Sequence, residues 1–274
     1  MTATVPPRDW TDIHWPEIAA TKPARWIAVL PLAATEQHGP HLPVGTDVMI
    51  AKAYLARVRE LLPDALPAIF LPLQEIGIST EHIDYPGTLT LPAEVAIKTW
   101  IALGESVARA GIKKLIMVTS HGGNSAAMSL VAQDLRARHG MLVVTTAWSR
   151  FGTPEGLFSV EEARHGIHGG AIETSIMLAR YPDTVRKDAV ANFLPASVAM
   201  EKNYRWLTTQ RPAPFAWQAQ DLHPSGAAGD ATMASAEKGL RLVDHGARAF
   251  CELLNEVDNF DVNKLASGPN APLK

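Results

Sequence analysis

The chain is 274 residues long, 47% hydrophobic and 19% charged, with a formal net charge of −3. That balance excludes a disordered or low-complexity chain, and the absence of a basic block leaves no electrostatic footprint for nucleic acid or an anionic membrane. A single cysteine, Cys251, against ten histidines excludes a disulfide-stapled fold and makes imidazole and carboxylate the expected ligands of any metal.

The N-terminal stretch MTATVPPRDWTDIHW lacks the cationic start and apolar core of a signal peptide. No apolar run reaches bilayer length, so a cytoplasmic protein is expected. Residues 26–32, WIAVLPL, form a continuous apolar run that predicts a strand buried on both faces. A polar, glycine-bearing segment, 35–45, follows. Thr46 or Asp47 then caps a predicted helix with apolar positions Ile50, Tyr54, Leu55, Val58 and Leu61. Residues 68–73 read as a second strand and 77–91 as a loop. Pro92 opens a helix running to about residue 110, with Ile97, Ile101, Gly104 and Ala108 as its apolar stripe and Gly111 as its stop.

Next come a strand over 114–119, a polar turn over 120–124, a helix over 125–139 and a strand over 141–148. A helix is predicted over 171–180. A long closing helix spans 230–257, with Gly239 and Gly246 as candidate breaks and Cys251 as a buried structural thiol. Residues 204–229, rich in Pro, Gln and Ala, read either as a linker or as an ordered loop over a site. The tail, 267–274, is expected to fray. Strands alternating with helices at this spacing imply βαβ units. The predicted fold is α/β, a three-layer α/β/α arrangement around a mostly parallel sheet. It is read as one domain over 1–274 with its core at about 25–258.

Ligands of open α/β sheets bind beyond the carboxyl ends of the strands, and here those ends are polar. Glu36 and His38 lie two apart, so in an extended segment both side chains reach one side. Asp47 stands at a helix start. Alone, Asp47 reads as a cap and Glu36 as a solvated charge; together with His38 the three also form a metal-binding pattern. His121 follows a buried strand directly, with Gly122 and Gly123 permitting close approach; alone it reads as a solvated turn histidine. His168 and Glu173 sit at a helix start, either as an exposed His and a dipole-favoured Glu or as a proton shuttle and a further ligand. Oxygen and nitrogen donors without sulfur fit Zn2+, Mn2+ or Fe2+. Two such ions sharing a carboxylate activate water and polarise a carbonyl, as C–N hydrolysis requires. The G-x-S-x-G elbow, the dinucleotide fingerprint and the P-loop are all missing. His14, His139, His223 and His245 have no matching neighbours.

The blocks Thr35-Glu-Gln-His-Gly-Pro-His-Leu-Pro43 with Thr46-Asp47, Ser79-Thr-Glu-His82 with Tyr85-Pro-Gly-Thr-Leu-Thr-Leu91, Ser120-His-Gly-Gly-Asn124 and His168-Gly-Gly-Ala-Ile-Glu-Thr-Ser175 resemble the creatininase (creatinine amidohydrolase) family. The resemblance covers roughly residues 25–240 and implies an α/β fold, a dinuclear metal site and a homohexamer. By position it implies Glu36, His38, Asp47 and His121 as metal ligands, with Asp47 bridging, Ser79 as a substrate contact and His168 as the catalytic acid/base. Creatininase proper carries Tyr and a metal-binding Glu where this chain has Gly122 and Gly123, so Glu173 becomes the expected replacement ligand. Many members have Asp where this chain has Gly166. Both changes count against creatinine as substrate. Other members hydrolyse formamides, small cyclic compounds and a peptide-derived cofactor precursor. Gly122 is expected to face the substrate. Trp148, Trp206 and Trp217 either wall a pocket for a flat heterocycle or pack in the core. The sequence thus predicts an amidohydrolase with two divalent ions, Zn2+ and/or Mn2+ or Fe2+, cleaving a small non-peptide amide with a hydroxide between the ions. A metal-binding sensor or assembly protein without turnover is the alternative.

Overall fold

In the computed structural model, which describes residues 5–21, 23 and 25–265, the first apolar run becomes β1 (Ile27–Leu32), buried at every position. It lies inside a four-stranded, fully parallel sheet of order β2-β1-β3-β4, with β2 (Ala68–Phe70), β3 (Lys114–Thr119) and β4 (Leu142–Ala147). Leu32, Thr119 and Ala147 fall in register, so β1, β3 and β4 end at one level. The loops that carry the polar blocks leave from that edge.

The helices are α1 (Trp15–Thr21), α2 (Thr46–Leu61), α3 (Ala93–Arg109), α4 (Ser125–His139), α5 (Val160–His165), α6 (Ala171–Arg180), α7 (Ala196–Asn203), α8 (Ala219–Leu222) and α9 (Ala236–Asn259). Two short ladders complete the fold. β5 (Asn192–Phe193) pairs with β8 (Gly229–Asp230), and β6 (Leu207–Thr208) pairs with β7 (Ala213–Pro214). Successive residues of β1 face opposite sides. Ile27 and Val29 join a core built from α2, α6 and α9, whereas Ala28, Leu30 and Leu32 join one built from α3 and α4. This is the α/β/α order expected from the sequence. Among the described residues no helix is long and apolar enough to cross a membrane.

Several local expectations change. The strand predicted over 68–73 ends at Phe70, because Pro72 has no N–H to continue the ladder; Gln74 then resumes contact by donating to the Pro31 carbonyl at 3.0 Å. The cap of α2 is Gly45, not Thr46 or Asp47. Thr46 Oγ1 donates to the Pro43 carbonyl at 2.6 Å, and Asp47 stands one step inside the first turn. The buried stripe of α3 is Ala96, Trp100, Gly104 and Val107, with Ile97, Ile101 and Ala108 flanking it. Trp100 is the larger apolar surface and takes the centre. Residues 204–229 are ordered, with β6, β7 and α8 inside them. Cys251 is only partly buried, its Sγ 3.9 Å from the Val58 carbonyl. The tail over 267–274 lies outside the described residues.

α9 begins at Ala236 and runs unbroken. Its glycines are places of close packing. A Cβ on Gly239 would lie 2.0 Å from the Ser175 carbonyl oxygen in α6, and one on Gly246 would lie 2.6 Å from the Tyr54 ring. Backbone cannot yield as a flexible side chain can, so overpacking here is costly. Gly239→Ala should lower stability by about 1–3 kcal/mol, seen as a lower denaturant midpoint at unchanged slope. An unchanged midpoint would refute the α6–α9 contact.

Candidate metal centre

Three segments converge beyond the aligned strand ends. Glu36, Gln37 and His38 follow β1; the Glu36 N–H is held by the Val44 carbonyl at 2.8 Å. His121 follows β3, where Thr119 Oγ1 accepts its backbone N–H at 3.0 Å. Asn124 braces the whole edge. Its amide donates to the Ala33 carbonyl at 3.0 Å and to Thr119 Oγ1 at 3.1 Å, and its oxygen accepts the Ile78 N–H at 3.0 Å. The 77–91 loop is thereby pulled over the edge. Gly123 permits this, since a Cβ there would lie 2.5 Å from the Ile78 carbonyl and 2.4 Å from His121 Nε2.

Hydrogen bonds fix the imidazole tautomers. A carbonyl only accepts, so His121 Nε2 carries the hydrogen given to Ile78 at 2.8 Å. His121 Nδ1 is left facing Glu36 Oε1 at 3.1 Å and Asp47 Oδ2 at 3.6 Å. His38 Nδ1 likewise donates to the Glu36 carbonyl at 3.0 Å. That aims His38 Nε2 at Asp47 Oδ2, 3.9 Å away, and at Glu173 Oε2, 3.8 Å away. Glu173 stands in the first turn of α6, its Oε2 accepting the Gly169 N–H at 2.6 Å.

Two donor triads result, Glu36/Asp47/His121 and His38/Asp47/Glu173, each with its atoms within 4.8 Å of one another. Asp47 belongs to both. A third grouping joins Glu36 and His38 to His168. Both Glu36 carboxylate oxygens, Asp47 Oδ2 and His38 Nε2 are buried without a hydrogen-bond partner. Buried polar atoms are ordinarily satisfied, and converging oxygen and nitrogen donors suit a divalent cation of the zinc or manganese type. The residues fit such a group.

Gln37 orients the next residue out. Its amide nitrogen donates to the Gly226 carbonyl and to His82 Nδ1, both at 2.8 Å, which uses both hydrogens. His168 Nε2, 3.2 Å from that nitrogen and 2.6 Å from the Gln37 carbonyl, must then donate to the carbonyl. His168 Nδ1 therefore bears the lone pair, 3.8 Å from Glu36 Oε1. The ring is stacked between His38 and His82, at centroid distances of 4.1 and 4.2 Å.

Burial pushes the Asp47 carboxyl well above its usual range, and neighbouring Glu36 adds to this. Burial also acts to raise Glu36, but His121, His82 and His168 outweigh it and hold Glu36 below the usual range. For His121, burial opposes the charge, yet Glu36, Asp47 and Glu81 win and raise it to about 10. Burial and the adjacent His38 lower His168 to about 4.

A cleft of about 680 Å3 opens above these groups, with Tyr54, Glu81, Trp148, Gln210 and Trp217 among its walls. Trp148 is both core and wall: it is buried, stacked on Tyr54 at 4.5 Å, and lines the cleft. Gly122 also lines the cleft. Trp206 is 61% exposed and stands outside it. Ser79 is fully buried, its Oγ has no hydrogen-bond partner, and it is not among the residues that line the cleft. Its loop is turned inward by the Thr90 hydroxyl, which accepts the Ser79 N–H at 2.8 Å. His41 points away, bonded to Thr174 Oγ1 at 3.0 Å. Sequence reasoning left Gln37, Glu81 and His82 without roles. Glu81 and His82 lay inside a motif block, and Gln37 is the odd residue of an alternating pair.

The family model described as Creatininase: Creatinine amidohydrolase matches residues 11–254. A mycofactocin precursor peptide peptidase of Mycobacterium ulcerans is 32% identical over 226 residues, spanning 80% of this chain and 81% of that one. The creatinine amidohydrolase of Pseudomonas putida is 26% identical over 266 residues, spanning 89% and 95%. A solved structure described as "Creatininase Mn" matches with a TM-score of 0.73 at 24% identity, covering 92% of this chain and 99% of that one; this likeness is one of fold.

The protonation pattern has a sign that can be checked without metal. His121 is raised from 6.5 to about 10, so its contribution is complete below about pH 6.5 and is lost as pH climbs through 10. Asp47, also raised, loses its stabilising contribution as pH rises from the ordinary carboxylate range upward. His168, lowered from 6.5 to about 4, removes stability as pH falls through that window. In chelator, the thermal midpoint should therefore decline on both sides of about pH 6.5–7. Added Zn2+ or Mn2+ should relieve the alkaline decline, because metal binding displaces protons from its ligands. A chelated midpoint that stays flat from about pH 7 to 10 would contradict this electrostatic account.

Proposed function

The chain belongs to the creatininase family, whose named relatives are hydrolases, and from that premise we propose that it hydrolyses the C–N bond of a small amide using two divalent metal ions. The observation that carries this reading is the pair of triads sharing Asp47, with four buried donor atoms left unsatisfied, three of them on Glu36 and Asp47 in the cleft lining. Glu36, Asp47 and His121 would hold one ion, and His38, Asp47 and Glu173 the other. Zn2+ and Mn2+ suit these ligands best, with Fe2+ next. Such ions polarise a carbonyl and bring the pKa of water toward neutrality.

The chain's own groups then handle position and protons. Ile78 and the Glu36 carbonyl hold His121 and His38 in the tautomers that turn a lone pair inward. Gln37 does the same for His168. His168 is kept neutral by burial and by His38, so at neutral pH its Nδ1 accepts a proton from the attacking water. It returns that proton to the nitrogen as the C–N bond breaks, which balances the hydrolysis. Tyr54, Trp148 and Trp217 supply flat apolar walls, and Gly122 leaves the floor open beside them. A cyclic amide or formamide suits this shape; because a relative is named a peptide peptidase, short peptides belong in the same screen. We further propose a single domain and a cytoplasmic homo-oligomer, a hexamer by family resemblance.

Asp47→Ala should take up neither ion and lose activity. His168→Ala should keep both metal equivalents and lose turnover by on the order of 10²–10⁴-fold. Metal analysis of purified protein, coupled to assays on creatinine, formamides, small lactams and short peptides, checks both. Full metal content in Asp47→Ala would sink the shared-ligand assignment. Tight amide binding without turnover in the wild type would favour the sensor or assembly protein.

A further inference from the structure

Three glycines, Gly166, Gly170 and Gly229, close around one buried side chain that the mechanism above does not use. Glu162, on α5, is 4% exposed. Its Oε1 accepts the Ala171 N–H at 2.6 Å and its Oε2 accepts the Asp230 N–H at 2.8 Å. A Cβ on Gly166 would lie 2.1 Å from Oε1, one on Gly170 2.5 Å from it, and one on Gly229 3.0 Å from it. The carboxylate fills space that three side chains would otherwise take. Among the described residues no Lys or Arg lies in ion-pair contact with it. Backbone N–H groups at the start of α6 and in β8 offset part of its charge, while burial pushes the carboxyl above its usual range.

Both N–H groups it holds lie next to the proposed machinery. Ala171 opens α6, two residues before Glu173. Asp230 follows Ala228 and Gly229, and Ala228 forms a paired bridge with His168: the His168 N–H donates to the Ala228 carbonyl at 3.2 Å, and the Ala228 N–H returns to His168 at 2.6 Å. Glu162 thus spans the two segments between which His168 and Glu173 are fixed. It does not itself line the cleft. The geometry points to Glu162 as the positioning residue for the His168–Glu173 segment: by clamping the start of α6 to the strand after Gly229, it sets where both functional side chains stand. This rests on the metal-dependent reading above for what those side chains do, and on the hydrogen bonds alone for how they are held.

The test uses the full chain. Glu162→Gln keeps size but turns one acceptor into an NH2 group facing a backbone N–H. Amide hydrogen exchange over residues 168–174 should accelerate by on the order of tenfold while α3 and α4 keep their protection. In chelator-competition titrations with Zn2+ or Mn2+, one of the two metal equivalents should weaken by roughly tenfold to a hundredfold. Glu162→Asp keeps a carboxylate on a shorter arm and adds no Cβ against the Glu162 carbonyl, so it should lose less protection over 168–174 than Glu162→Gln. It also decides the matter where Glu162→Gln fails to fold: loss of protection confined to 168–174 supports the inference, and protection there that changes no more than in the sheet overturns it. Unchanged exchange in Glu162→Gln overturns it, as does loss of protection spread evenly over the sheet. Wild-type protein that binds no metal would overturn the metal reading instead, and exchange over 168–174 would then decide the role of Glu162.

Discussion

The molecule is organised around buried negative charge that it cannot neutralise by itself. Glu36 and Asp47 are both almost fully inaccessible, with donor atoms within 4.8 Å of each other. At an effective dielectric near 20, two like charges at that separation repel by on the order of 3–4 kcal/mol. Among the described residues that line the cleft there is no Lys or Arg. Around the cleft the histidines are the cations available among the described residues, and burial lowers His38, His82 and His168, whereas His121 is raised. Left alone, the cluster pushes Asp47 toward its neutral form and His121 toward its charged one. A divalent cation resolves the same conflict with no proton held, which makes a metal the economical completion of this donor set.

The fold serves that conflict at each level. Parallel strands ending in register bring β1 and β3 loops to one height. Asp47 and Glu173 occupy the first turns of α2 and α6, where the helix dipole offsets part of the cost of a carboxylate. Asn124 and Gln37, neither a metal donor, spend their amides bracing carbonyls and imidazoles from separate segments. Glycine is used where backbone must approach a functional group: Gly123 against His121 and Ile78, Gly170 and Gly229 against Glu162. These contacts tolerate no Cβ. The precision of the centre therefore depends on what is missing from the side chains as much as on what they carry.

How much of this was legible follows from how local each signal is. The four sheet strands and the helices α2, α3, α4 and α6 are written in apolar periodicity, and each appears within a few residues of its expected place. Glu36, His38, Asp47, His121, Glu173 and His168 were legible because strand-end geometry and family-like blocks point to them together, and the structure brings all six to one edge. Ser79 was read by position in a motif; it is fully buried with an unpartnered hydroxyl and is not among the residues that line the cleft. The role of Glu162 was invisible: it sits among Val160, Glu161 and Ala163 on a short helix and resembles a solvated charge. Only the converging glycines, distant in sequence from one another, reveal it. Gln37 was hidden for a related reason, since its value lies in fixing a tautomer. That is a property of three partners from different segments.

The same accounting bears on what the cleft accepts. Its floor is a donor set that could hold cations, and its walls are Tyr54, Trp148 and Trp217, with Gln210 as a polar edge from the 204–229 segment. With no fixed cation in the lining, a substrate carboxylate finds no bidentate partner of the Arg type. Two divalent ions, held as proposed and set against Glu36, Asp47, Glu173 and Glu81, would bring the formal charge near zero. A polar but uncharged group then has the most to gain, because its carbonyl is drawn to the ions while its flat remainder is desolvated against the aromatic rings. Creatininase-like chemistry does not require creatinine under these constraints. On the proposed reading it favours an amide with a flat face to lay against Trp148 and Trp217, both of which line the cleft beside His168.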